Sequence, residues 1–540
     1  MLAKIFKLIW LSNPNLNLMI LTLTGFFGFT LLVILFVWYR LKNENLSSEK
    51  GYFLAGKSLT GPVIAASMLL TNISTEHLIG MNGNSYKNGI IVIAWEVTSA
   101  IALVIAALYF LPRYIKMGLT TIPEYLENRF DSLTRTLVAS FLMVSFVVTL
   151  LPIVLYSGAL NLESIFDISK NLGISQTEGL WYTVIVIGLI GSAYAIFGGL
   201  KAVAYSDTLN GIGLLFCGLL IPVLALWKIG DGSMMSGLSK VYEFAPEKFN
   251  IIGAEDSVLP FSVLFTGLMI NQLYFWGMNQ TIIQRALGAK NLAEAQKGLL
   301  YTGVLKIFIP LVIVLPGLIG FYYFQTEYYD NPDIIYPLLV KKVLPASLTG
   351  LFAAVILGAV LSTFNSVLNS ASTIFCFDLY KKHFNKNISE IKLVKTGKWV
   401  AVVLAAFSIL AAPLVAKAPE GLYQMLQQLN GIFFIPIASI LMAGFFTKAV
   451  NANGAKAGLF FGFLFYILTT FIFDSGIHFV HIWGIEFVLN FVIMILVSKQ
   501  FPTDKVVVEL VKDASEPWKW AKPMGLVLVL ITVLIYFMLS

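Results

Sequence analysis

Charge is scarce in this chain. Asp, Glu, Lys and Arg make up 12% of its 540 residues, against about 25% in an average soluble domain. A soluble fold of this composition could not cover its surface with polar groups, which argues against a large soluble α/β protein. Cysteine is almost missing: Cys217 and Cys376 both sit in apolar runs, which argues against a disulfide framework. No stretch between apolar runs is long enough for a separate soluble domain, so a fused enzymatic domain such as a kinase is excluded. The net charge of +7 does not point to nucleic acid. The basic residues lie in short segments between apolar runs, where the positive-inside rule puts them.

What is there is apolar. Hydrophobic residues are 58% of the chain and the mean hydropathy is +0.83. Residues 18–39 and 343–377 carry no charge. Uncharged apolar runs of about 18 residues or more read as membrane-spanning helices. The expected class is an all-α integral membrane protein with about fourteen spans. Their cores are expected at 18–40, 61–84, 89–112, 136–160, 180–199, 203–228, 260–282, 299–324, 346–377, 397–416, 421–447, 455–474, 477–498 and 523–539. The N-terminal MLAKIFKLIWLSNPN lacks a small-residue cleavage site, so Leu18–Tyr39 reads as a retained first span. Most of the 36 Lys and Arg residues then fall on one side when both termini are placed outside. The expected location is the cell (inner) membrane, with lipid as the surrounding partner.

Polar residues appear where lipid should be. The second span, GPVIAASMLLTNISTEHLIGMNG, gathers Asn72, Ser74, Thr75, Glu76 and His77 at mid-depth. One or two could be helix-packing contacts. Five within six positions fit an interrupted helix lining a watery site. The seventh span, LMINQLYFWGMNQ, places Asn271 and Gln272 mid-span beside Tyr274, Phe275 and Trp276. Two interrupted spans five apart are the spacing of two five-helix inverted repeats, each opening with a broken helix. The repeats are expected over 61–228 and 260–447, with an extra span at 18–40 and further spans over 455–539. The ninth span adds Ser362, Thr363, Ser366, Asn369 and Ser370. Hydroxyls and freed carbonyls are hard donors that suit an alkali cation better than a transition metal; hydroxyls bonding back to their own helix are the alternative. Glu96 and Lys306 are charges within spans, a functional signal by default with a structural Glu–Lys pair as the alternative, and Asp207 stands near a span end, where a solvated or capping role is nearly as strong a reading. The mid-membrane groups show neither a nucleophile–base–orienter set nor a His/Cys metal cluster, so an enzyme is not expected.

Six long co-linear segments then carry a resemblance: YFLAGKSL (52–59), NISTEHLIGM (72–81), TIPEYLENRF (121–130), YAIFGGLKAVAYSDTLNG (194–211), YFWGMNQTIIQRALGAKNLAEAQKG (274–298) and LSTFNSVLNSASTIFCFDLY (361–380). Over roughly residues 50–500 the chain resembles the sodium/solute symporter family, in particular its bacterial sodium/galactose branch. The resemblance implies a LeuT-type fold and Na+ as the coupled ion. It implies a sodium site at Leu70, Ile73, Ala359, Ser362 and Thr363. It implies solute contacts from Asn72, His77, Glu96, Ser99, Gln272, Lys306 and Gln427, with gates at Met81, Trp95 and Tyr423 outside and Phe275 inside. His77, Gln272 and Phe275 stand where the bacterial galactose branch has Gln, Asn and Tyr. Those departures leave the sugar class standing and put the identity of the sugar in doubt. Some family members hold a second sodium deeper; Asp207 and Ser366 match that site, but Asn365 replaces a hydroxyl, which favours one sodium.

The expectation is therefore a sodium-coupled importer of a small polar solute, a monosaccharide first, working by alternating access. Sialic acid or myo-inositol is the alternative solute, and a transport-inactive sensor the alternative class. A carboxylated solute would call for a free Arg in the site, and Arg40, Arg113, Arg129, Arg135 and Arg285 read as loop or span-end residues.

Overall fold

The computed structural model describes residues 14–325, 331–417, 422–473, 475–503 and 516–540. Most of the N-terminal stretch MLAKIFKLIWLSNPN lies outside these residues. The described chain is helical, with one isolated parallel bridge between Leu59 and Ala289. The first span is α1 (Pro14–Leu41). The first interrupted segment is α2 (Gly61–Asn72) followed by α3 (Thr75–Asn88). Next come α4 (Ala94–Ile105), α5 (Leu151–Phe166) and α6 (Gln176–Ile229). The second interrupted segment is α7 (Gly267–Gly277) followed by α8 (Gln280–Leu287). They are followed by α9 (Leu292–Phe308), α10 (Thr349–Ile374), α11 (Glu390–Ala411) and α12 (Leu422–Phe446). The chain closes with α13 (Ala452–Ile467), α14 (Phe479–Gln500) and α15 (Ala521–Met538).

Ten helices among the described residues are long and apolar enough to cross a membrane, or eleven when Leu292–Phe308 and Pro310–Tyr323, bent by 42°, count as one. The count falls short of the fourteen expected because polar breaks cut spans into pieces. The second span is divided between α2 and the run Thr75–Lys116, and α7 and α8 are 11 and 8 residues long. The spans expected at 180–199 and 203–228 fall in the single helix α6, which turns at Gly199 with φ +58. A side chain is strained in that conformation, so glycine is the residue that permits the turn.

The first break falls where the sequence puts it. Ile73 and Ser74 are extended, with φ/ψ of −92/97 and −111/−167. An interrupted helix leaves its last carbonyls without amide partners, and in the membrane interior other groups must satisfy them. The second break is displaced from the expected one. Asn271 and Gln272 lie within α7, and the chain leaves the helix at Met278 and Asn279. The amides of Met278 and Asn279 both donate to the Tyr274 carbonyl, and the Asn279 side chain caps α8 by accepting from the Thr281 amide at 2.9 Å. Helix α2 packs against α6, α9 and α10, so the first break meets the hydroxyl-rich face of α10.

Candidate functional site

A polar cavity opens between the two breaks. All seven residues expected to contact solute line it: Asn72, His77, Glu96, Ser99, Gln272, Lys306 and Gln427. Trp95, Phe275 and Tyr423 line it too, whereas Met81 is fully buried and is not among the lining residues.

Its one lysine is paired within the wall. Lys306 on α9 forms an ion pair with Glu96 on α4 and donates a further hydrogen bond to Asn72 Oδ1 at 2.8 Å. Both charged side chains are almost fully buried, at 1% and 2% exposure. The pair fixes α9, α4 and the end of α2 to one another. Gln272 is held as firmly: its amide donates to the Trp95 carbonyl at 2.7 Å, and its carbonyl accepts from Ser99 at 3.0 Å and from Trp276 Nε1 at 3.1 Å. On α12, Gln427 donates to the Tyr423 hydroxyl at 2.8 Å. The Tyr423 ring meets His77 edge-on at 5.0 Å and Trp95 at 6.1 Å between centroids. Phe275 stands against Trp276 at 5.1 Å. His77 Nδ1, Asn271 Oδ1 and Asn430 Oδ1 are buried without a hydrogen-bond partner among the described residues. The wall therefore combines aromatic faces, a compensated ion pair and amides with unused capacity.

Thr71, Asn279, Thr281 and Asn430 also face the cavity and carry no signal used in the sequence reading, while Glu76 and Asn271, read there as mid-span polar groups of the interrupted spans, line it as well. Asn430 had a usable signal, since it follows Gln427 by three residues and Tyr423 by seven, on one helical face. Glu76 is turned toward the break, accepting from Ser74 and from Ser157 Oγ at 3.4 Å.

Beside this cavity, Thr363 Oγ1 reaches the broken end of α2 and donates to the Leu70 and Thr71 carbonyls at 3.3 and 3.2 Å. Leu70, Ile73, Ala359, Ser362 and Thr363 are all buried there. Ser362 Oγ and Asp207 Oδ1 have no hydrogen-bond partner within normal distance, and the two side chains neighbour each other. Freed carbonyls and hydroxyls form a hard-oxygen set that fits an alkali cation.

One turn deeper the structure corrects two expectations. Asp207, read as near a span end, is fully buried inside α6. Arg285, read as a loop or span-end residue, is also fully buried, because the short α8 carries it between α2 and α10. Its guanidinium donates to Ser67 Oγ at 3.1 Å and to Ser366 and the Thr281 carbonyl, while Ser67 donates to Asp207 Oδ2 at 2.6 Å. The candidate second-sodium residues are thus linked to a fixed cation. Arg285 does not line the cavity between the breaks.

Paired broken helices flanking a polar midplane cavity, with a hard-oxygen site beside it, define a LeuT-type secondary transporter. The sequence model of the sodium:solute symporter family matches residues 52–462, and this chain belongs to that family. It is 44% identical to a symporter of Escherichia coli K12, YidK, over 93% of this chain and 88% of that one. It is 34% identical to the sodium/glucose cotransporter of Vibrio parahaemolyticus, covering 78% of this chain and 79% of the relative. It is 30% identical to the human sodium/myo-inositol cotransporter, covering 80% of this chain and 64% of that longer protein. The fold matches the substrate-bound outward-open state of a Na+-coupled sialic acid symporter with a TM-score of 0.77 and 23% identity, over 90% of this chain and 99% of that one. The protein is a multi-pass membrane symporter, and sodium is its coupled ion.

Proposed function

We propose that the cargo is a neutral polyol, a monosaccharide first, held in the cavity between the two breaks and imported with one sodium ion. The observation that carries this reading is the lack of a free cation in the wall: Lys306 is neutralised by Glu96, and no Arg lines the space among the described residues. A carboxylated solute would need a free cation, whereas a polyol needs groups that both donate and accept. Asn72, Gln272, Gln427, Asn271 and Asn430 supply these, and Trp276, Phe275 and Tyr423 offer faces for a sugar ring. Of the relatives' cargoes, glucose and myo-inositol share this chemistry and sialic acid does not.

His77, Glu96, Ser99 and Lys306 complete the solute contacts in this reading. Trp95 and Tyr423, with Met81 behind them, close the outer side, and Phe275 the inner side. Leu70, Ile73, Ala359, Ser362 and Thr363 would hold the ion, joining the broken end of α2 to α10. Joining the two favours the outward-facing state and shapes the solute site, so by linkage solute tightens sodium by the same factor. One sodium is favoured over two because Arg285 already supplies a positive charge beside Asp207 and Ser366. Fourteen spans, both termini outside, a plasma-membrane location and repeats over 61–228 and 260–447 complete the proposal.

The test is binding to the purified protein, read by tryptophan fluorescence, with hexoses, myo-inositol and sialic acid, each in sodium and in potassium. Sodium-dependent binding of a neutral polyol is expected. Sodium-dependent binding of sialic acid alone would overturn the reading.

A further inference from the structure

Outside the cavity, the last helices contain one more buried carboxyl. Glu486 on α14 is fully buried and forms no ion pair among the described residues. Its Oε1 accepts a long hydrogen bond, 3.4 Å, from Asn490 Nδ2 one turn further on. Its Oε2 has no hydrogen-bond partner among the described residues, and neither does Asn490 Oδ1, on a side chain that is also fully buried. Two acceptors without a donor therefore occupy one site.

Asn490 Nδ2 is the one donor that reaches the carboxyl among the described residues. Asn490 Nδ2 also donates to Ser439 Oγ on α12 at 3.2 Å, and the Ser439 hydroxyl donates to the Ile435 carbonyl at 2.9 Å. Helix α13 brings Gly462, where a Cβ would lie 2.6 Å from Asn490 Nδ2, 2.7 Å from Glu486 Oε1 and 2.8 Å from Asn490 Oδ1. The titratable group on α13 that senses Glu486 is Tyr466. From α12 the facing group is neutral Ser439, and no charged side chain of α7, α12 or α13 pairs with the carboxyl among the described residues.

A carboxylate facing a second bare acceptor inside a membrane would be repelled and unsolvated. A proton removes both faults, because it turns one acceptor into a donor and needs no volume. A sodium ion would need several converging oxygens and room for itself, and here the polar atoms press directly on the bare backbone of Gly462. We propose that Glu486, Asn490 and Ser439 form an intramembrane proton-binding site: Glu486 carries a proton at neutral pH and shares it with Asn490 Oδ1. The balance is a single proton taken from or returned to the medium, with no other bond changed. The site touches α12 at Ser439, four turns along the helix that presents Tyr423 and Gln427 to the cavity. Loss of the proton places a bare charge against that helix, so transport should fail on the alkaline side and not on the acid side.

The test is infrared difference spectroscopy of the full-length protein, wild type minus Glu486→Gln, across a pH series in sodium and in potassium, with sodium-driven uptake measured in parallel. A protonated-carboxyl C=O band lost in Glu486→Gln, present at neutral pH, unaffected by the choice of cation and fading at alkaline pH is expected. The alkaline limb of uptake should be lost in Glu486→Gln. Should that variant fail to fold, Glu486→Asp must shift the same band. Absence of the band at neutral pH in wild type overturns the proposal, and a band abolished by sodium would make the site a sodium site instead.

Discussion

Removing one member of the Glu96–Lys306 pair separates what holds the fold from what holds the solute. Lys306→Met leaves Glu96 as a bare carboxylate in a site where only 2% of its side chain is exposed, and it also strips Asn72 Oδ1 of its donor. Water cannot screen a charge at that depth, so the usual surface discount does not apply. Breaking a buried pair by removing one partner costs about 3–5 kcal/mol. Replacing both partners with neutral groups of similar size is often close to neutral. Lys306→Met should therefore lower thermal stability sharply, and Glu96→Gln/Lys306→Met should recover most of it. Solute binding should fail in both, because the double variant restores packing but not the groups that face the sugar. The assay pairs thermal unfolding of detergent-solubilised protein with solute binding. Wild-type stability in Lys306→Met, or equal destabilisation in the single and double variants, would refute the assigned pairing. Recovery of binding in the double variant would remove both residues from the solute site.

Other consequences follow from the same geometry. Thr363→Ala should raise the sodium concentration for half-maximal uptake roughly ten-fold, about 1.4 kcal/mol for a lost buried oxygen contact, with Thr363→Ser close to wild type; an unchanged sodium dependence removes Thr363 from the ion site. Gln427→Ala should weaken solute binding by about 1 kcal/mol, roughly five-fold, as measured by titration at saturating sodium. Reversal potentials in proteoliposomes should report one sodium per solute, which supports ~50-fold accumulation from ~100 mV alone, against ~2,500-fold for two; a ratio of two that falls to one in Asp207→Ala would establish the second site. Outside the spans, burial works against the Glu127 carboxylate but hydrogen bonds from Lys382 and Arg135 outweigh it and hold its pKa below the ordinary value. Its contribution is present above the ordinary glutamate value of about 4.3 and is lost as pH falls through the lower folded value, so Glu127→Gln should blunt the acid-side loss of thermal stability.

The sequence made the first break legible because Asn72, Ser74, Thr75, Glu76 and His77 crowd into six positions that an intact lipid-facing helix would keep apolar. It misplaced the second break. Asn271 and Gln272 mark the wall of a cavity, not the end of a helix, and α7 continues beneath them to Gly277. Polar side chains report what a helix faces; backbone termination there depends on the amides of Met278 and Asn279 and on the Asn279 cap. The pairing of Glu96 with Lys306 was foreseen as one reading of two intramembrane charges, and the structure brings them together. The burial of Arg285 was not legible, since its partners Ser67 and Ser366 lie 218 and 81 residues away in the chain. Glu486 is no more legible: only the packing of α12, α13 and α14 shows that no cation pairs with it among the described residues.

A neutral solute should accumulate in step with sodium through the cavity between the breaks. Uptake of radiolabelled hexoses and myo-inositol into proteoliposomes, under an inward sodium gradient and under a potassium gradient of equal size, measures this directly. Accumulation of a neutral polyol above its outside concentration in sodium, collapsing in potassium and absent in Glu96→Gln/Lys306→Met, is the predicted result. Equal uptake in both cations, or sodium-driven uptake that survives in the double variant, would contradict it.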